Sequence, residues 1–281
     1  MKRLRVFVVT GALLAFGALP GVVQAGGPFS SGMALTLRSV KVVANAGIVV
    51  NVDIVCGAIA GNTVLSLENS PVVVAQASHG QVVHAQGNLG MGPITCDGTT
   101  VSHWSFSGIS DGVPFHTGAL AIEVSAYILD FNTNQSDRAD TGLIAFNATA
   151  GNGTPVADGM TLTLTSAKLV ARVGVNVGVD VTCNPINGES ALSLEDNSII
   201  VAQAVNGKIA RASGFMSQQG GPFVCDGHTV NHFIASLLSD TVPFAPASAA
   251  IRVVGRAIVI NGPCCASDRG DTGLRSFKLT K

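Results

Sequence analysis

Two short strings carry the residues with the richest chemistry. His103-Trp104 follows Cys96-Asp97-Gly98, and His232-Phe233 follows Cys225-Asp226-Gly227. A histidine beside an exposed aromatic ring could recognise a ligand, so His103, Trp104, His232 and Phe233 are the candidate recognition residues. The competing account is structural: a histidine ring packed on a sheet and hydrogen-bonded to a neighbouring backbone group. It is favoured, because no second histidine or carboxylate recurs at metal spacing. His228 and His232 resemble a zinc pair. On a strand, residues four apart share a face but lie about 13 Å from each other at ~3.3 Å per residue. A Zn–N bond is only about 2 Å long, so one ion cannot take both. The position matching His228 in the earlier string is Thr99.

Other candidate chemistry is thinner. The segment 132–137 and the pair Asp268 and Asp271 are the acidic groups worth testing for calcium, which needs several converging oxygens. Asp97-Gly98 and Asp226-Gly227 read as turns, with glycine free to adopt positive φ. Arg269-Gly270-Asp271 spells a tripeptide that some adhesion ligands present to integrins. The first copy has Arg138-Ala139-Asp140 there, so the stretch is read as a polar turn whose arginine pairs with an aspartate. There is no Gly-X-Ser-X-Gly, no His-Glu-X-X-His, no duplicated carboxylate pair suited to glycosides and no Gly-rich phosphate loop. The expectation is a non-enzymatic protein with no catalytic residue, no cofactor and no metal.

The elements that position these residues come twice. Gly32 to Leu37 is answered by Gly159 to Leu164, Leu65-Ser66-Leu67-Glu68 by Leu192-Ser193-Leu194-Glu195, and Val74-Ala75-Gln76-Ala77 by Val201-Ala202-Gln203-Ala204. Ser136-Asp137-Arg138-Ala139-Asp140-Thr141-Gly142 is answered by Ser267 to Gly273. Within each copy, short segments alternate apolar and polar residues, the period of half-buried strands. Turn signals recur every 8–12 residues and no helix is convincing. Roughly seven strands per copy predict an all-β chain of two tandem immunoglobulin-like antiparallel β-sandwich domains, with a barrel as the alternative. The boundaries are 1–25 signal peptide, 32–147 first module, 148–158 Gly- and Pro-containing linker, and 159–281 second module.

The leader has Lys2, Arg3 and Arg5, then an apolar run from Val6 to Leu19, then Val23-Gln24-Ala25 with small residues at the cleavage point. The run is shorter than the ~20 residues a span needs, so no transmembrane span is expected in the mature chain. Those three cations are the only charges in the leader, so 13 basic residues remain against 17 acidic ones. No basic stripe exists to meet phosphates, which argues against nucleic acid as a partner. Charged residues are 12% of the chain, against about 25% in an average soluble domain. The polar remainder is Ser, Thr, Asn and Gly, which suits a resistant extracellular domain.

All six cysteines fall in the exported part, and an even number in an oxidising compartment reads first as disulfides. Each copy has one cysteine late in its second strand and one just before Asp-Gly, so Cys56–Cys96 and Cys183–Cys225 follow from the repeat. Cys264-Cys265 replaces Thr133-Asn134 and is an addition to the common staple. A strained vicinal bridge is the first choice there, an intermolecular bond the second, and two thiols remain open.

The repeated unit resembles modules of unknown function in secreted bacterial proteins. Those modules have a cysteine near the end of an early strand, a mid-module glutamine, Cys-Asp-Gly before a His-aromatic strand, and then a Gly-X-Ala strand. Here these are Cys56, Gln76, Cys96-Asp97-Gly98, His103-Trp104 and Gly118-Ala119-Leu120-Ala121. The second copy has Cys183, Gln203, Cys225-Asp226-Gly227 and His232-Phe233, with Ala247 in place of the glycine. The resemblance implies exported, β-rich, disulfide-stapled architecture and brings no activity. The expected product is a secreted structural or interaction protein, extracellular, periplasmic or at the cell surface, whose partner is an extracellular protein or glycan. The alternatives are a small-ligand or glycan-binding module, with its groove near Trp104 or Phe233, and an assembly component linked through Cys264 and Cys265.

Overall fold

The computed structural model of the chain describes residues 32–78, 80–190, 192–218, 223–259 and 267–281. The expected leader 1–25, the expected hairpin residue His79 and the Cys264-Cys265 pair lie outside the described residues. Among the described residues every regular element is a strand.

The first half holds β1 (Met33–Val43), β2 (Gly47–Cys56), β3 (Val64–Glu68), β4 (Pro71–Ser78), β5 (Gln81–Asn88), β6 (Gly92–Thr95), β7 (Ser102–Ile109), β8 (Gly118–Asp130), β9 (Gln135–Asp140) and β10 (Ile144–Ala150). The second holds β11 (Val156–Asp158), β12 (Met160–Val170), β13 (Gly174–Cys183), β14 (Leu192–Val205), β15 (Lys208–Gly214), β16 (Ser217–Gln218), β17 (Asn231–Leu238), β18 (Ser248–Val259), β19 (Ser267–Asp271) and β20 (Arg275–Lys278). These elements outnumber the roughly seven expected per copy, because short strands such as β3, β6 and β9 add to the long ones. β8 pairs with β3 and β9 at its far end and with β4 and β10 at its near end.

Period-2 alternation explains the layers. Val50, Val52, Ile54 and Cys56 of β2 point one way and are buried, as successive Cβ atoms alternate across a strand. β17 alternates strictly from Asn231 to Leu238. A register shift lies between Leu37 and Ser39 in β1, and another at the matching place, between Leu164 and Ser166, in β12. Each is a bulge that re-aims the strand. In the first half β1, β2 and β7 form one layer and β5, β4, β8 and β10 another, and their buried faces meet in one apolar cluster. β10 joins the layers along one edge: it pairs antiparallel with β8 and then parallel with β1, at Lys41 opposite Thr149. That parallel pairing departs from the purely antiparallel expectation. The second half repeats the plan, with β12, β13, β17 and β16 facing β19, β18, β14 and β15 across a second cluster. There a single parallel bridge, Lys168 to Thr280, corresponds to the β1–β10 pairing.

The stretch read as a linker is strand at both ends. Ala148, Thr149 and Ala150 complete β10, and Val156 to Asp158 form β11 against β19. What lies between is tied down. The Gly151 N–H donates to Val42 O, the Gly153 N–H to Leu274 O, and the Ser276 N–H to Asn152 Oδ1. A third apolar cluster sits across the junction. Val43, Ala46 and Val49 of the first half meet Ala202, Ile209, Ala250 and Leu274 of the second. Arg211 Nη2 donates to Ser110 O across the same junction at 2.7 Å.

Candidate functional site

The two histidines stand on the outward faces of their layers, each opposite an aspartate on the neighbouring strand. Register puts His103 of β7 beside Asp53 of β2, and His232 of β17 beside Asp180 of β13. In both places Nδ1 lies 2.7 Å from Oδ1 of the aspartate. Arg38 Nε donates to the other Asp53 oxygen at 3.1 Å, while the position matching Arg38 in the second copy is Thr165. The partner is thus a duplicated cross-strand carboxylate, where a backbone group was expected. The signal was present in the sequence: an aspartate stands three residues before Cys56 and again three before Cys183.

The aromatic residues go inward, because odd and even positions of a strand face opposite ways. Phe233 is 3% exposed, inside the second cluster, edge-to-face with Phe223 at 5.9 Å. This corrects its reading as a recognition residue: His232 takes the outer face, so its neighbour must take the core. Trp104 is half-buried against the first cluster, over Gly90 and Gly92, where an added Cβ would touch its ring. Its Nε1 has no hydrogen-bond partner among the described residues. Phe233 thus presents no ring for stacking, and Trp104 presents only the part of its ring that the cluster leaves uncovered.

The remaining candidates are engaged locally. Asp97 Oδ1 accepts from the Thr99 and Thr100 N–H groups, and Asp226 Oδ1 from those of His228 and Thr229. The Thr100 hydroxyl and N–H hold Asp97 well below the usual carboxylate range. The Thr229 N–H and hydroxyl lower Asp226 to about 2. In the loop considered for calcium, the Asp130 carboxylate accepts from the Thr133 hydroxyl, Asn62 Nδ2 and the Asn132 N–H, and the Thr133 and Asn62 bonds lower its pKa most. Burial, then the nearby Asp158, raises Asp268. Asp271 is clamped by Arg252, with Nη2 at 2.6 Å and Nε at 3.2 Å. Arg269-Gly270-Asp271 is the last three residues of β19, between β18 and β11. It is a strand where a turn was expected, and Asp271 takes Arg252 as its partner. Among the described residues no three His, Cys, Asp or Glu side chains gather as a metal set.

The disulfides are Cys56–Cys96 and Cys183–Cys225. Beside them, each copy has a buried glutamine acting as a clamp. Gln76 Nε2 donates to His116 O and Ala119 O, and its Oε1 accepts from the His116 N–H. Gln203 does the same to Ala245 O, Ser248 O and the Ala245 N–H. The glutamine stood out in sequence as a landmark, but its role appears only once the loop before β8 or β18 is seen to fold back over it.

The chain matches no family model, and no curated protein is similar to it. Among solved structures, the partial N-terminal region of an enterococcal surface protein is similar over 93% of this chain and 98% of that one. The identity is 9% and the TM-score 0.17, which carries no inference about fold or function.

The chemistry open to the outer face is limited by the order of residues across it. Thr36, Asp53 and His103 form one cross-strand row, and Thr163, Asp180 and His232 another. A triad needs the histidine between nucleophile and carboxylate. Here the aspartate is in the middle, and two strand spacings of about 5 Å separate threonine from histidine. Each pair orients an imidazole and leaves Nε2 outward, but brings no hydroxyl to it. A separate cleft of about 380 Å³ opens between β11, β12 and β20, lined by Pro155, Val156, Thr161, Thr163, Arg275 and Phe277 among others. It holds none of the histidines.

Proposed function

We propose that the chain is an exported, non-enzymatic protein of two disulfide-stapled, immunoglobulin-like β-sandwich modules that acts as a stiff structural or interaction element outside the cell. The observation that carries this reading is duplication without divergence into a site. The staple, the Asx turn after it, the glutamine clamp and the Asp–His pair recur in both halves with the same partners. Their polar atoms hold loops and strand pairs in place. The facing layers, three strands against four in the first half and four against four in the second, support the sandwich reading of each half. The pinned segment between β10 and β11 and the third apolar cluster support a stiff pair. Disulfides persist in oxidising compartments, which supports export.

Small-angle scattering on the mature protein tests the stiff pair. A scattering curve matching one fixed arrangement of two modules is expected, and a broad distribution of separations would overturn it. The cleft beside β11 favours a second reading, a small polar ligand such as a glycan held by Thr161, Thr163 and Arg275. A ligand that binds the folded state raises the melting temperature. A panel of mono- and disaccharides that leaves the melting temperature unmoved would discard that reading.

A further inference from the structure

The junction between the halves is made once within the chain, yet the repeat writes each of its two faces twice. One face is a socket: Val43, Ala46, Gly47, Val49 and Ile109. The other is a knob: Ala202, Ile209, Ala250 and Leu274. Leu274 sits on Gly47, where an added Cβ would collide with its Cδ2. Alignment of the repeats places the second socket at Val170, Val173, Gly174, Asn176 and Leu238, and the first knob at Ala75, Val82, Ala121 and Leu143. Neither has a partner in the described chain. Leu143 is 70% exposed and Val82 58%, while Leu238 is 75% and Val173 51%.

We propose that the free knob of one molecule docks into the free socket of another, so that the chain self-associates head to tail by repeating its own internal junction. The partner is a second copy, because both faces already exist in matched form. Gly142 and Gly273, just before the two knob leucines, have φ of 60° and 62°. Thr141 and Thr272 accept the N–H of Val124 and Val253 through Oγ1 in the same way. The socket turns also agree, with φ of 48° and 55° at Ala44 and Asn45 and 47° and 62° at Ala171 and Arg172. Gly174 keeps the seat free of a Cβ as Gly47 does. Preformed faces keep the ordering cost of binding low, and paired exposed apolar patches of this kind mark association sites.

The faces have also diverged. Glu123 stands beside the free knob where the used one has Arg252, and Arg172 stands on the free socket where the used one has Asn45. These two changes put a carboxylate beside the free knob and a guanidinium on the free socket. Asn176 in place of Val49 puts a carboxamide on an apolar seat and weakens the contact. Within the chain, the short tether 151–155 supplies an effective concentration in the millimolar range; between molecules, protein concentration must supply it. A heterologous contact that does not close grows open chains.

Sedimentation velocity from about 10 µM to about 1 mM, a range that reaches the effective concentration of a short tether, tests the proposal. Thiols are alkylated so that Cys264 and Cys265 cannot link chains. The wild-type mean mass is expected to climb past the dimer. Leu143→Glu and Leu238→Glu are each expected to stay monomeric, because each lacks one face. Their equimolar mixture is expected to form dimers and stop there, since one intact knob and one intact socket remain between them. Leu143→Ser and Leu238→Ser serve as the uncharged pair if a glutamate variant loses its melting transition. A wild type that stays monomeric throughout overturns the proposal. So do single variants that associate like wild type, or a mixture that stays monomeric while wild type grows. The inference goes beyond the proposed function, since a protein that is exported, stapled and strictly monomeric would refute it and leave that reading standing.

Discussion

Replacing Gln203 with leucine removes three hydrogen bonds while keeping nearly the same side-chain volume. The donations from Nε2 to Ala245 O at 2.9 Å and Ser248 O at 3.4 Å go, as does the acceptance from the Ala245 N–H at 2.8 Å. Gln203 is fully buried, so water does not replace the lost partner freely. Ala245 O keeps the Ala247 N–H, which leaves the Ala245 N–H as the group most exposed to loss. An unpaired buried donor costs about 1–3 kcal/mol and each other lost bond about 0.5–1.5 kcal/mol. Offset by the apolar gain of leucine, the net is about 2–4 kcal/mol. With a urea slope of about 2 kcal/mol per molar, the unfolding midpoint should fall by about 1–2 M. Gln76→Leu should behave alike, because its contacts are the same. Gln203→Glu keeps the acceptor but turns a carboxylate toward two carbonyls, so its penalty should grow as pH rises above about 4.3, the ordinary glutamate value. A midpoint shift below about 0.3 M in both leucine variants would refute the clamp.

Leu274→Ala should cost about 2–5 kcal/mol and uncouple the halves, splitting a single calorimetric transition into two; one unchanged transition would contradict the junction. The pKa of Asp226 is lowered in the folded state to about 2, so its stabilisation is present above the unfolded value and is lost as pH falls through about 2. Melting temperature followed between pH 4 and 2 should flatten in Asp226→Asn, and a profile parallel to wild type would remove the Asx turn as the cause. The bonded cysteines are 40 and 42 residues apart, so replacing Cys183 and Cys225 together by alanine should cost about 4 kcal/mol by the loop-entropy estimate. Equal urea midpoints for the variant and the wild type would show that the bond adds nothing.

Local pattern made the strands legible. Met33, Leu35 and Leu37 alternate with Ala34 and Thr36 in sequence, and the same residues alternate in burial in β1. The staples were legible because each copy offers the same two cysteines in the same places. What escaped was whatever depends on a neighbour distant in sequence. The pairing of His103 with Asp53 spans 50 residues and exists only through the β2–β7 register. The parallel contact of β10 with β1 leaves no trace in either strand's alternation. Thr141-Gly142-Leu143 and Thr272-Gly273-Leu274 are identical strings, yet the first leucine is exposed and the second buried. The difference lies in Gly47 and its neighbours, more than 200 residues away in the chain. Phe233 faces the core because the parity of its position in β17, and not its aromatic type, decides which way it points.

The most direct test of the account is the intact mass of the protein recovered from outside the producing cell, without reductant, followed by peptide mapping. The account predicts a chain beginning at Gly26 with Cys56 joined to Cys96 and Cys183 to Cys225. A chain that retains its leader inside the cell with those four cysteines reduced, or one in which Cys56 is joined to Cys183 or Cys225, would contradict it.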